Sequence, residues 1–153
     1  MINVLFICHG NICRSPMAEF LMKSMVAQAG LSDKIHIASA ATTTEEIGNP
    51  VHWGTVRKLA EYHISTAGKT ARQVTKQDYA QYDYIICMEK QNLREIRRIL
   101  PNDPEGKICC LLDFSSHPRD IADPWYTGNF DVTYDDILEG CTALLAHLTE
   151  KLS

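Results

Sequence analysis

A thiol at Cys8 and a guanidinium at Arg14 close the two ends of a short segment, Cys8-His9-Gly10-Asn11-Ile12-Cys13-Arg14, that runs on into Ser15 and Pro16. Residue types and spacing of this kind suit a phosphate trap with a nucleophile at its floor. The backbone N–H groups of a short loop entering a helix converge on an anion, and the positive end of the helix dipole adds to their field. Arg14 contributes a planar fork able to bind two oxygens at once. The same field favours a negative sulfur at Cys8, which is what a nucleophile needs. Gly10 permits unusual backbone angles and close approach, and Asn11 tolerates positive φ. A cysteine by itself would as readily end a buried strand. The C-x5-R-S spacing between a strand and a helix is what selects the chemical reading.

At these residues the chain resembles the low-molecular-weight protein tyrosine phosphatases, whose signature is C-x5-R-[ST]-P near the N-terminus with a downstream Asp-Pro acid loop. Asp123-Pro124-Trp125-Tyr126 supplies the second element. Ser39-Ala40-Ala41, Gly48-Asn49-Pro50, Ala71-Arg72-Gln73-Val74, the run Tyr82–Met88 and Asn92-Leu93-Arg94 extend the similarity over essentially the whole chain. A thiolate attacking phosphorus must expel an oxygen that leaves poorly unless it is protonated. The resemblance implies that Asp123 is that acid and later the base for water. Asp120 is the local competitor, but it lacks the Pro and the two aromatic residues that follow Asp123.

The resemblance further implies a phosphate-binding loop made of His9, Gly10, Asn11, Ile12, Cys13 and Ser15. In it Asn11 locks the loop through side-chain hydrogen bonds, and the Ser15 hydroxyl stabilises the departing thiolate. Trp125 and Tyr126 line the substrate cleft, whose depth selects a ring-bearing phosphoester. Cys13 is expected to form a reversible disulfide with Cys8 under peroxide. His9 is expected to face outward, not to act as a base, and no role is assigned to His52, Lys69 or Glu89. The implied partners are a phosphotyrosine-bearing protein substrate and inorganic phosphate or related oxyanions, with no metal and no organic cofactor. Two relatives on the same fold compete. A protein-arginine phosphatase typically carries threonine where this chain has the apolar Ile12. An arsenate reductase needs a further cysteine pair, and the position seven residues after Cys87 is Arg94.

These groups must be held by elements, and the apolar patterning supplies them. Ile2–Ile7 reads as a buried strand, and residues 17–29 have helical spacing, with Ser15 placed as N-cap, Pro16 at the first helical position and Gly30 as terminator. Ile35–Ala40 reads as a second strand, Val51–Tyr62 as a helix, Tyr82–Met88 as an inner strand, Gln91–Leu100 as a basic helix and Lys107–Leu112 as a fourth strand. Tyr134, Ile137, Leu138, Cys141, Leu144, Leu145 and Leu148 mark the apolar face of a closing helix. Such alternation predicts an α/β three-layer sandwich, a parallel sheet with helices on both faces. The resemblance adds four strands in the order 2-1-3-4. The site then lies at the carboxyl end of the first strand, where such sheets bind ligands.

A chain of 153 residues is expected to form one domain over 1–153. Its formal charge of −4 argues against a nucleic-acid partner. No apolar run approaches the roughly 20 residues of a membrane span. With no leader-like start, the six cysteines suit a reducing cytoplasm better than a disulfide framework, and their spacing lacks the ligand pairs of a zinc site.

Overall fold

The computed structural model describes residues 1–153. Strands β1 (Ile2–Cys8), β2 (Ile35–Ala41), β3 (Tyr84–Cys87) and β4 (Ile108–Cys110) form one parallel sheet in the order β2-β1-β3-β4. The helices are α1 (Arg14–Gln28), α2 (Trp53–Ala60), α3 (Lys76–Gln81), α4 (Lys90–Ile96), α5 (Pro124–Thr127) and α6 (Phe130–Leu152).

β1 is central, and its side chains alternate between the two faces with the strand's period of two. Val4, Phe6 and Cys8 join the larger core, which α1 and α6 cover through Met17, Leu21, Met22, Ile137, Leu144 and Leu148. Leu5 and Ile7 join a smaller core on the opposite face with Val74, Tyr82, Ile96 and Leu100. A strand covered on both sides has no solvent face, which is why β1 reads as a continuous apolar run. Cys8 is its last residue, so the strand ends directly at the candidate nucleophile.

The termination of α1 follows expectation. Gly30 has φ 72° and donates to Ala27 O, while Leu31 N donates to Val26 O, the paired bonds of a left-handed C-terminal cap. The start of α1 does not. Helical geometry begins at Arg14, the cap position is Cys13 with no side-chain bond, and Pro16 stands third in the helix. Ser15 is not the N-cap, because its hydroxyl is taken up by Cys8 and Asn11.

Other boundaries contract for local reasons. The inner strand begins at Tyr84, since Tyr82 N still bonds to Asp78 O to close α3. β4 stops at Cys110, whose N–H donates to the Asp113 carboxylate and turns the chain into a short 3-10 helix, Leu111–Phe114. The second and fourth helices are shorter than their patterns, ending at Ala60 and Ile96. On α6, Leu138 is 37% exposed at the edge of the buried stripe and is not a core residue as expected. No helix is long and apolar enough to cross a membrane.

Candidate active site

The segment between β1 and α1 is curled by one left-handed residue. That residue is Asn11, φ 58°, and not Gly10. Gly10 serves through its missing side chain, since a Cβ there would stand 3.3 Å from Glu46 Cγ. The curl turns the amides inward: Asn11 N–H and Ser15 N–H donate to Cys8 Sγ at 3.3 and 3.4 Å. Ser15 Oγ lies 2.9 Å from the same sulfur. Sulfur in this position faces two backbone N–H donors and a hydroxyl.

Asn11 holds the curl from beneath. Its Nδ2 donates to Ser15 Oγ at 2.8 Å and to Ser39 Oγ at 2.9 Å, and its Oδ1 accepts from Arg72 N at 3.2 Å. The bracing continues inward, with Ser39 Oγ donating to Glu19 Oε1 at 2.5 Å and Lys69 Nζ donating to Ser39 O at 2.8 Å. Glu19 is 4% exposed, and Lys23 Nζ donates to its other oxygen at 2.6 Å. From α2, Thr55 Oγ1 donates to Cys13 O at 3.0 Å, and His52 N donates to Ile12 O at 2.8 Å. The loop is thus tied to β2, α1 and α2 by buried polar bonds, the kind that rigidify when fully satisfied.

Arg14 is 2% exposed and aims back across the loop. It donates to Ile121 O at 2.9 Å, to Asp123 Oδ2 at 3.2 Å and to the Glu89 carboxylate. Burial alone would weaken its charge, but the negative groups at Cys8, Asp123 and Glu89 outweigh burial and hold the guanidinium above its ordinary value. Asp123 caps the single turn of α5. Its Oδ1 accepts from Trp125 N at 3.0 Å, with Pro124 at the first helical position. Asp120 is engaged elsewhere, its Oδ1 accepting from Lys90 N at 3.0 Å at the start of α4. The geometry therefore separates the two aspartates in favour of Asp123.

These groups enclose a pocket of about 120 Å³ lined by Cys8, His9, Gly10, Ile12, Cys13, Arg14, Glu45, Glu46, Asp123, Trp125 and Tyr126. Asn11 and Ser15 lie behind its wall and shape it. Trp125 and Tyr126 are 56% and 83% exposed, an aromatic wall open to solvent and not part of the core. His9 sits at the rim, bonded to Glu45 at 2.6 Å and to Glu95 at 2.9 Å, which leaves neither ring nitrogen free to act as a base. Burial works against its charge, but the two carboxylates prevail and raise its pKa. Cys13 is 5% exposed, and burial, then the charges at Cys8 and Asp123, pushes its thiol up to about 12. It is a resting thiol beside the nucleophile. No cluster of three His, Cys, Asp or Glu side chains stands ready to hold a metal ion.

Four contributors were not assigned from the sequence: Glu89 on Arg14, Glu19 and Lys69 beneath the loop, and His52 at the head of α2. His52 Nδ1 accepts from Gly54 N at 3.0 Å, and its ring stacks on Phe130 at 5.3 Å. A signal existed for two of them. Glu89 stands two residues past β3, at the carboxyl end of an inner strand where site residues gather. Glu19 falls on the apolar stripe of α1, where an acidic residue calls for a partner.

The family model described as "Low molecular weight phosphotyrosine protein phosphatase" matches residues 3–153. The low molecular weight protein-tyrosine-phosphatase YfkJ of Bacillus subtilis is 43% identical over 153 residues, 99% of this chain and 98% of the relative. The YfkJ crystal structure superposes with a TM-score of 0.95 at 42% identity, covering 100% of this chain and 98% of that one. A low molecular weight protein tyrosine phosphatase from Streptococcus pyogenes superposes at 0.86 with 40% identity, covering 97% and 93%. The structure of a drosophila arginine phosphatase superposes at 0.87 with 28% identity, covering 97% and 98%.

Proposed function

Because the chain belongs to the low molecular weight phosphotyrosine protein phosphatase family, we propose that Cys8, Arg14 and Asp123 hydrolyse protein phosphotyrosine through a cysteinyl-phosphate intermediate. The observation that carries this reading is the single pocket in which a sulfur ringed by N–H donors faces both a buried guanidinium and a carboxyl group.

In the first step Cys8 Sγ attacks phosphorus, an S–P bond forms and the P–O bond to the tyrosine ring breaks. Asp123 passes its proton to the departing oxygen. The phosphoryl oxygens are held by the loop amides and by Arg14, which turns its fork from Asp123 toward the ligand. In the second step water attacks phosphorus, Asp123 takes its proton, and the S–P bond breaks. Ser15 Oγ donates to the sulfur as its charge returns. Neither step calls for a metal or an organic cofactor. The whole chain, 1–153, acts as one catalytic domain, and its six unpaired cysteines suit a cytoplasmic setting.

Phosphotyrosine is favoured over phosphoserine because the exposed rings of Trp125 and Tyr126 build a wall that a ring can stack on while its phosphorus reaches Cys8. It is favoured over phosphoarginine because the Ile12 side chain at the pocket is apolar and carries no hydroxyl, and the tyrosine-directed relatives are the more similar ones. Rates on matched phosphotyrosine, phosphoserine and phosphoarginine peptides, measured with a chelator present, test the reading. Phosphotyrosine should be hydrolysed fastest and the chelator should have no effect. A faster phosphoarginine reaction would transfer the assignment to the arginine branch.

A further inference from the structure

Beside the phosphate pocket opens a second, larger cleft of about 490 Å³. It shares His9, Arg14, Asp123 and Tyr126 with that pocket, so a phosphotyrosine seated over Cys8 would have its chain emerge at the cleft's edge. The cleft also carries Glu89, Glu95 and Asp120. Across the mouth stand Glu45 and Glu46. No lysine lines either space, and the two cations present are already engaged, Arg14 by Glu89 and Asp123 and His9 by Glu45 and Glu95. Carboxylates outnumber cations around this mouth.

A second observation comes from Asn92, which lines the same cleft and is 1% exposed. Its Oδ1 accepts from Met88 N at 3.1 Å and from Glu89 N at 3.2 Å, which fixes the amide's orientation. Nδ2 is thereby turned away from those amides, and it is the one buried side-chain nitrogen or oxygen in the molecule without a partner. A buried donor left unmade is costly, so this site calls for an oxygen acceptor as well as a cation. A bare metal ion would satisfy the carboxylates and leave Asn92 unpaired. An anion would satisfy Asn92 and be repelled by the carboxylates. A peptide with a basic side chain offers both, a carbonyl oxygen and a positive charge.

Resting on the phosphotyrosine reading above, we propose that this cleft binds the substrate segment flanking the phosphotyrosine and selects lysine or arginine there. Asp120 meets the cation with the oxygen not used by Lys90 N, Glu95 adds to the negative field, and Asn92 Nδ2 donates to a chain carbonyl. The test compares kcat/KM on three phosphotyrosine peptides that differ only in carrying Lys, Gln or Glu beside the phosphotyrosine, with phenyl phosphate as the chainless reference. Lys should exceed Gln by about 2- to 5-fold and Glu should fall below it, the scale of partly exposed ion pairs. High ionic strength should shrink the spread. Asp120→Asn, which keeps an oxygen for Lys90 N, should move the Lys-to-Gln ratio toward one. Asn92→Asp, which keeps the acceptor for Met88 and Glu89 and loses the donor, should raise KM for all three peptides. Equal rates on the three peptides, a ratio unmoved by Asp120→Asn, or an unchanged KM in Asn92→Asp would overturn the proposal. If phenyl phosphate is hydrolysed in those cases, the phosphatase reading stands; if it is not, that reading fails as well.

Discussion

Cys8 sulfur is the acceptor of two backbone N–H bonds at the end of a buried strand, so replacing it changes reactivity more than shape. Cys8→Ser should show no steady-state turnover while melting within a few degrees of the parent, because a hydroxyl is far less ionised at neutral pH. Measurable turnover by the pure variant would dismiss the covalent route. Asp123 uses one oxygen to cap α5 and the other to face Arg14, and asparagine can preserve the cap. Asp123→Asn should therefore lower kcat by about 10²–10⁴-fold on phenolic leaving groups, and by less as the leaving group becomes more acidic. A loss that ignores leaving-group acidity would assign Asp123 a structural role. Ile12 is the apolar member of the loop wall. Ile12→Thr opens space and adds a hydroxyl, which should shift the phosphoarginine-to-phosphotyrosine ratio of kcat/KM upward by roughly 10-fold or more.

At the scale of elements, three connections meet over Cys8. The β1–α1 loop carries the sulfur and Arg14, the β3–α4 junction brings Glu89, and the segment ending at Asp123 brings the acid. That last segment is anchored to α6, where Arg119 bonds to Asp136 at 2.7 Å and to Glu139 at 3.0 Å. α2 braces the loop through Thr55 and the N–H of His52, and its own seat is the ring of Phe130 at the start of α6. Gly54 makes that seat possible, since a Cβ there would lie 2.3 Å from Phe130 Cζ. Gly54→Ala should cost about 1–3 kcal/mol in urea unfolding through overpacking. It should also lower kcat/KM, because moving α2 loosens the bonds to Ile12 and Cys13. A variant as stable as the parent would show that the α2–α6 contact yields freely.

Over the whole molecule, charge ties distant parts together and makes stability depend on pH. Burial opposes ionisation of Asp78, but two bonds from Arg72 at 3.0 and 3.1 Å and the N–H of Thr75 outweigh it and hold the carboxyl below its ordinary value. Glu95 is lowered in the same way, burial opposing and Thr42 and His9 prevailing. Bonds from Arg119 and Ser115 take Glu139 to about 2. Groups lowered on folding stabilise above the ordinary carboxylate range, and that contribution is lost as pH falls through their folded values. His9 is shifted the other way. Its contribution is complete below the ordinary histidine value of 6.5 and is lost as pH rises through the raised one. Tm measured across pH should accordingly fall steeply below about pH 4 and decline gently on the alkaline side of 6.5. His9→Asn should abolish the decline between pH 6.5 and about 8, below the range where the buried thiols begin to add their own loss; it is worth about 0.2–1 kcal/mol for pairs this exposed. An identical alkaline decline in the variant would place its origin elsewhere.

The sequence by itself determined the parts whose causes are local. Apolar runs of strand length, Gly30 after a helical pattern, C-x5-R-S between strand and helix, and Asp before Pro at the head of a turn each act within a few residues, and each stands where its pattern put it. The tertiary structure decided which of several chemically able groups met. Arg14 is partnered by Glu89 and by Ile121 O, 75 and 107 residues away, and no periodicity carries that information. Ser15 reads as a helix cap until the sulfur and Asn11 claim its hydroxyl. Positive φ falls on Asn11 and not on Gly10, because the Asn11 side chain gains three hydrogen bonds there, two of them buried, which glycine cannot make. Asp120 and Asp123 differ in sequence by the Pro and aromatic pair that follow Asp123 alone. Their partners are set only by the fold, which places one against the N–H of Lys90 and the other against Arg14.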